Sequence, residues 1–364
     1  MMIGILGGGQ LARMLALAGK PLGLEFMFLD PAEEACASEL GEHLQGDYTD
    51  RALLAQMAER CDVVTYEFEN VPVDIIDFIA EQTPVYPSAK ALAVGQDRLT
   101  EKNFFRELGI ATAPYHAVDS FERLQEVMPE IGWPAILKTR RLGYDGKGQA
   151  ISRSAADLQQ AWRELEGSPV IVEGFVPFRR EVSIIAARNV SGAIVYYPLS
   201  ENQHRGGILR LAKSCNNDPL QSQAESMIAR LLEALDYVGV MALELFDLDG
   251  HLVANEFAPR VHNSGHWTIE GSETSQFENH LRAILDQPLG DTKTRGFAAM
   301  QNFIGGVPSL KEVLALSEVH MHMYNKTPRK GRKIAHATVR SDTPEALSGR
   351  IAALAKLAEQ TDDS

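Results

Sequence analysis

Up to Pro87 the chain alternates short apolar runs with helix-spaced segments, whereas beyond it strand-like runs follow one another, and that change limits the folds open to it. The opening Met2-Ile3-Gly4-Ile5-Leu6 enters Gly7-Gly8-Gly9-Gln10 and then the helical spacing Leu11, Met14, Leu15, Ala18. Residues 26–29, ending at Asp30, and residues 62–66, ending at Glu67 and Asn70, read as further strands, with residues 84–87 as a candidate fourth. Such alternation predicts a parallel sheet covered on both faces, with functional groups at the carboxyl ends of its strands, near Gly8, Asp30, Glu67 and Asn70. After Pro87 the pattern predicts a helix at 97–108, strands at 135–138 and 170–173, a glycine loop at 142–148 and a helix at about 155–165. Antiparallel strands at 181–187 and 193–199 then precede a helix near 221–235, and a smaller terminal unit carries a basic loop and a helix at about 343–359.

Residues 241–268 carry the densest chemistry. Around Asp249-Gly250, Leu243 and Leu245 alternate with Glu244, and Val253 and Asn255 alternate with Ala254 and Glu256, as in a hairpin. A two-residue turn sets Glu244 opposite Asn255, whereas a three-residue loop centred on Gly250 sets it opposite Glu256, and the second register is preferred. Two carboxylates about 5 Å apart at Cβ repel unless a hard cation lies between them, and oxygen ligands of this kind suit Mg2+ bridging to phosphates. Arg260, His262, Asn263 and His266 follow at once. The His262/His266 spacing is that of a zinc helix, but Ser264-Gly265 is poor helix and no general-base glutamate sits between the histidines, so zinc is rejected.

The chain has 364 residues, 45% of them hydrophobic, enough for two or three domains. No leader or membrane-length apolar run is evident, so a soluble cytoplasmic protein is expected. Cys36, Cys61 and Cys215 have neither disulfide nor zinc spacing and read as packing residues. A net charge of −14 argues against nucleic acid or an anionic membrane as partner, so an anionic ligand must be held by local clusters.

Three such clusters stand out. Gly7-x-Gly9-x-x-Ala12 with Asp30 fits a dinucleotide fingerprint, although the physics guarantees only a phosphate-friendly helix N-terminus. Lys138 beside a loop with glycines 143, 146 and 148 lacks the Walker order but resembles a mobile cover over polyphosphate. Lys326, Arg329, Lys330, Arg332 and Lys333 put five cations in eight residues, a candidate phosphate site. Glu173 and Glu181 flank an apolar segment suited to cupping an adenine, a weaker signal.

Lys138 with Gly143-Tyr144-Asp145-Gly146-Lys147-Gly148-Gln149, then Glu173, Glu181, Glu244 and the run from Asn255 to Thr268, closely resembles the ATP-grasp superfamily. Within it the match is to the branch that carboxylates 5-aminoimidazole ribonucleotide in purine biosynthesis. GGGQLARM at the start, TYEFENV at 65–71, YPLSENQHRGGIL at 197–209 and PRKGRKIAH at 328–336 are similar too, so the resemblance covers nearly the whole chain. Ala12, where a glycine is frequent, is a small departure.

The resemblance implies a mixed α/β and α+β architecture, the ATP-grasp fold, with an N-terminal parallel Rossmann-like sheet, a small glycine-lid domain and an antiparallel C-terminal core. The implied divisions are 1–96, 97–174 and 175–364. It implies a ligase in which ATP phosphorylates bicarbonate to carboxyphosphate, which then carboxylates the ribonucleotide's amine. Arg98, Lys138, Gly143, Tyr144, Asp145, Gly146, Lys147, Gly148, Gln149 and His204 would bind ATP, with Glu173, Gly174, Phe175 and Val176 around adenine and Glu181 on ribose. Glu244 and Glu256 would hold Mg2+, beside Asn255. Arg260, His262 and Asn263 would bind bicarbonate and carboxyphosphate. Gln10, Leu11, Glu67, Asn70, Tyr144, Arg332 and Lys333 would hold the ribonucleotide, its phosphate at the first helix's N-terminus. A homodimer is also implied. The competing readings are another ATP-grasp ligase with a different acid, an oxidoreductase using the glycine turn, and an RNA-binding module using the basic loop.

Overall fold

The computed structural model describes residues 1–143, 147–165 and 168–361, which build three sheets. The first is parallel, in the order Glu42–Gln45, Glu25–Asp30, Met2–Leu6, Val63–Tyr66. Its apolar runs are continuous because both faces are buried. Ile3, Ile5, Phe26 and Phe28 pack towards Leu281 and Ile284, whereas Leu6, Met27 and Leu29 pack on Leu54, Met57 and Ile76. The strand Glu42–Gln45 was not expected, since Glu-His-Leu-Gln buries only Leu44. The candidate fourth strand reduces to a single parallel bridge, Val64 to Val85.

The second sheet is antiparallel, in the order Tyr115–Val118, Val170–Gly174, Ala135–Thr139, Gln149–Ser152. Helices Phe121–Ile131 and Ala155–Glu164 cover one face, where Leu124, Val127 and Leu158 meet Leu137 and Val172. Helix Arg98–Glu107 is N-capped by Asp97, which accepts from Leu99 N at 3.0 Å and Thr100 N at 3.3 Å. Its Phe105 is buried with the third sheet's core rather than under the second sheet.

The third sheet has nine strands, all antiparallel. Its path runs His251–Ala258, Gly239–Leu248, Arg180–Arg188, Ser200–Arg205, Ile208–Ser214, Phe297–Ile304, Lys333–Ser341, Val319–Met323, and Ile194–Tyr196 adds to Arg180–Arg188. The expected strand at 193–199 is thus shorter, Ile194–Tyr196 alone, and the next strand begins beyond it at Ser200. The terminal unit is not separate, because its strands extend this sheet, with helix Pro344–Glu359 packed on Phe297–Ile304 and Lys333–Ser341. No helix among the described residues is long and apolar enough to cross a membrane.

Candidate active site

A cleft of about 740 Å³ lies where the three sheets meet, and strand alternation decides which side chains line it. The hairpin turns at Asp249 and Gly250, with φ of 50° and 89°, and Leu248 pairs with His251, so the loop has two residues and not the expected three. Glu244 nevertheless pairs with Glu256, because the ladder slips by one residue beside Glu244. Asn255 is the extra residue of a β-bulge. Ala254 and Phe257 therefore stay in the core while Asn255 and Glu256 both line the cleft, correcting the expectation that these two face opposite ways.

Three oxygen-bearing groups converge there. The Asn255 Oδ1 is buried and has no hydrogen-bond partner among the described residues. Burial, and then Glu256, push the Glu244 carboxyl up to about 7. Burial also works against the charge of Glu256, but Arg98 and then Lys138 outweigh it and hold that carboxyl below its usual range. Arg98 donates to Glu256 Oε2 at 2.6 Å. Two carboxylates and an orphaned amide oxygen form a hard donor set that fits Mg2+, which takes one or two carboxylates and completes its shell with phosphate oxygens and water.

On the second sheet Leu137 points to the core, so its neighbours Ile136 and Lys138 reach the cleft. Lys138 Nζ lies 2.9 Å from Glu173 Oε2, and Lys102, only 1% exposed, lies 3.6 Å from Oε1. Burial opposes the Glu173 charge, but Lys138 and Lys102 pull its carboxyl down to about 2. Expected around adenine, Glu173 spends its side chain as a counter-ion. Gly174 and Val176 are buried and Phe175 is exposed. Phe178 and Phe246 line the cleft, stacked with centroids 4.7 Å apart. Glu181 Oε2 lies 2.6 Å from His204 Nδ1; burial works against the imidazolium, but this carboxylate and Glu244 hold the His204 pKa up. Gly143, Lys147 and Gln149 also line the cleft. Gly148 has φ of 70°, and a Cβ there would meet Thr139 Oγ1 at 2.5 Å. Tyr144, Asp145 and Gly146 lie outside the described residues.

The third wall is the loop after the hairpin. Arg260 pairs with Glu69, and its buried Nε has no partner among the described residues. Burial, then Arg260 and Lys333, hold the His262 pKa well below its ordinary value. Ser264 N–H donates to His262 Nδ1 at 3.3 Å, which leaves the ring proton on Nε2, 3.3 Å from Glu244 Oε1. Asn263 and Asn302 exchange amide hydrogen bonds at 2.7 and 3.2 Å. His266 turns away and is buried between Phe277 and His336.

The glycine turn forms the opposite wall, and here the expectation of a phosphate on the helix N-terminus is overturned. Glu67 accepts from Gly9 N, from Leu11 N at 3.0 Å and from Ala12 N at 2.9 Å; Asp30 Oδ2 accepts from Gly8 N at 2.8 Å, and Leu29 O from Gly7 N at 2.9 Å. Those donors are spent. Asp30 also accepts from Ala32 N and Tyr48 Oη, so the dinucleotide reading loses its ribose carboxylate as well. The side chains of Gln10, Leu11, Glu67 and Asn70 line the cleft, and Lys326 donates to Gln10 Oε1. Of the five basic residues, Lys326, Arg332 and Lys333 are half-buried and Arg329 and Lys330 exposed; Lys333 lines the cleft.

Glu101, Lys102 and Phe246 escaped the sequence reading, and Glu69, inside the run 67–70 expected at a strand's carboxyl end, was given no role of its own. Glu101 accepts from Phe257 N at 2.7 Å, and burial followed by Glu256 pushes its carboxyl up to about 8. Lys102 donates to the carbonyl of the bulged Asn255 at 2.8 Å. The spacing of Arg98, Glu101 and Lys102, three and four residues apart, was the available signal, since it places all three on one helix face.

Comparison with known proteins agrees with this geometry. The ATP-grasp domain family model matches residues 103–277, the ribonucleotide synthetase preATP-grasp domain residues 1–96, and the phosphoribosylaminoimidazole carboxylase C-terminal domain residues 298–350. An N5-carboxyaminoimidazole ribonucleotide synthase of Pseudomonas aeruginosa is 52% identical, covering 99% of this chain and 100% of its own. The crystal structure of the Thermus thermophilus synthetase superposes with a TM-score of 0.94 at 53% identity, covering 98% of each chain. The Aspergillus clavatus synthase, crystallised with ADP and 5-aminoimidazole ribonucleotide, gives 0.92 at 30% identity, covering 99% of this chain and 98% of that one. The chain belongs to the N5-carboxyaminoimidazole ribonucleotide synthase family of ATP-grasp proteins.

Proposed function

We propose that this chain carboxylates 5-aminoimidazole ribonucleotide with bicarbonate and ATP, releasing 5-(carboxyamino)imidazole ribonucleotide, ADP and phosphate, in de novo purine biosynthesis. The observation that carries this reading is that one cleft collects lysine and arginine from the lid side, a carboxylate pair and orphaned amide oxygen from the hairpin, and Lys333 from the end of the basic loop, together with Gln10 and Leu11 of the glycine turn. An oxidoreductase using that turn would leave the carboxylate pair unexplained.

Bicarbonate oxygen attacks the γ-phosphorus and ADP leaves. Lys138, Arg98, His204 and residues 143–149 hold the phosphates; Glu181 takes ribose, and the backbone of Glu173 to Val176 edges the adenine, with Phe178 and Phe246 as its apolar wall. Bound Mg2+, held by Glu244, Glu256 and Asn255 Oδ1, would neutralise phosphate charge. Arg260, the Nε2–H of His262 and the Asn263 amide stabilise carboxyphosphate. The ribonucleotide amine then forms a C–N bond to the carboxyl carbon; the bond to phosphate breaks, phosphate takes the electron pair, and the amine sheds one proton. Closure of residues 143–149 excludes water, which would destroy carboxyphosphate.

Gln10, Leu11, Asn70 and Tyr144 contact the ribonucleotide, and Arg332 and Lys333 take its phosphate in place of the occupied helix N-terminus. Glu67 holds the turn that presents Gln10 and Leu11. Residues 1–96 serve the ribonucleotide, 97–174 the lid and 175–364 the catalytic core. A homodimer is proposed too, and the exposed Met323 on the edge strand Val319–Met323 beside the exposed Leu17 is consistent with one; light scattering at a monomer's mass overturns it.

The deciding experiment measures ADP release with Mg-ATP and 5-aminoimidazole ribonucleotide, first in bicarbonate-free buffer and then with labelled bicarbonate. Release that needs the ribonucleotide and rises with bicarbonate, with label in an acid-labile carbamate, supports the synthase. Release indifferent to both directs the search to another acid and amine.

A further inference from the structure

We infer that Gln276 is a positioning residue for the reaction: its side-chain amide holds the His262 backbone, and through it the ring that faces Glu244. Gln276 is fully buried at the start of helix Gln276–Ile284. Its Oε1 accepts from His262 N at 2.9 Å, and its Nε2 donates to His262 O at 2.6 Å. The amide therefore stands in for a neighbouring strand, satisfying both backbone groups of a residue held extended at φ −126° and ψ 148°. The second Nε2 proton meets His266 Nδ1 at 3.3 Å, so both ends of the turn from His262 to His266 are tied to one group.

The backbone is built for this contact. A Cβ on Gly265 would lie 2.8 Å from Gln276 Oε1 and 2.2 Å from Ile185 Cδ1, so no side chain fits between the turn and the amide. Only a group with an acceptor and a donor can serve both the N–H and the C=O of one residue, which glutamate does when protonated and not when ionised. His262 and His266, the titratable groups beside it, are kept neutral first by burial and then by Arg260 and by His262 respectively. Fixing the His262 backbone fixes the direction of Nε2–H, and a misplacement near 1 Å at a reacting centre costs about 10²-fold in rate.

The proposal rests on the carboxylation reading, and two arms keep them apart. The wild-type arm, ribonucleotide-dependent ADP release at saturating Mg-ATP from pH 6 to 8.5, tests that reading. Gln276→Met and the isosteric Gln276→Glu, compared with it, test the position. Gln276→Met is expected to lose about 10²-fold in kcat at every pH, with KM for ATP and ADP affinity within twofold of wild type. Gln276→Glu is expected to match that loss at pH 8.5 and to recover towards wild type as pH falls and the carboxyl regains its proton. If Gln276→Met fails to melt cooperatively, the glutamate series alone decides. A wild-type kcat in Gln276→Met, a pH-independent loss in Gln276→Glu, or a kcat loss matched by an equal loss of ADP affinity overturns it.

Discussion

At residues 7–12 the N–H groups of Gly7, Gly8, Gly9, Leu11 and Ala12 point into a tight turn, and each has a protein acceptor. At residues 255–263, Asn255 Oδ1 and Arg260 Nε are just as buried and have no acceptor or donor among the described residues. Both segments look like ligand sites in the sequence. The first uses its polar groups to close the fold, with a carboxylate where a phosphate was expected, and the second keeps them for something that arrives from outside. Unsatisfied burial, rather than a glycine pattern, separates the two.

The largest effect expected from this contrast is at Glu244. Glu244→Gln should lower kcat by about 10² to 10³-fold, as for removal of one preorganised electrostatic group, read by ADP release. The same substitution should raise the melting temperature of the ligand-free protein above pH 7. Burial and Glu256 raise the Glu244 pKa from 4.5 to about 7, so its stabilising protonated form is fully present below 4.5 and is lost as pH rises through 7. Glu256→Gln is expected to differ, because it strands Arg98, which donates to Glu256 at 2.6 Å; a lower melting temperature in that variant marks the asymmetry.

On the other side, Glu67→Gln should destabilise the fold by about 1–3 kcal/mol by leaving a buried N–H of the turn without its acceptor, with ADP affinity unchanged. A chemical denaturation curve identical to wild type would break the comparison. The Mg2+ concentration for half-maximal rate should climb by up to about tenfold per pH unit below pH 7, since Glu244 must shed its proton before it ligates; a flat dependence removes Glu244 from the metal site. The smallest effect is at the basic loop, where Arg332→Ala should raise KM for the ribonucleotide by about tenfold and leave kcat alone, checked by steady-state titration.

Pairing of Glu244 with Glu256 was legible, but for the wrong reason. Asn255 carries no mark of a bulge, because the extra residue is neither glycine nor at a strand end, and its carbonyl is met by Lys102 from a helix 153 residues away in sequence. The parallel sheet was legible from runs buried on both faces, yet its edge strand Glu42–Gln45 was not, since a half-wet edge shows no alternation. Strands Phe297–Ile304 and Lys333–Ser341 were missed because buried polar residues, Gln301 and Asn302 in the first and His336 and Thr338 in the second, break up the apolar pattern of strands that are otherwise buried. The partners of known site residues were hardest to see. Glu69 on Arg260 and Gln276 on His262 are set by which elements pack together, information held in no local stretch of chain.

The reciprocal amide pair between Asn263 and Asn302 joins the reaction loop to Phe297–Ile304, and that strand's neighbour, Lys333–Ser341, begins at the basic loop. A hydrogen-bonded ladder scarcely stretches, so the span between the two loops is constant whatever the lid does. On the proposed assignment of these two loops to the carboxyl group and the ribonucleotide phosphate, that fixed span would act as a gauge, favouring a ligand whose phosphate and amine are separated by the matching length.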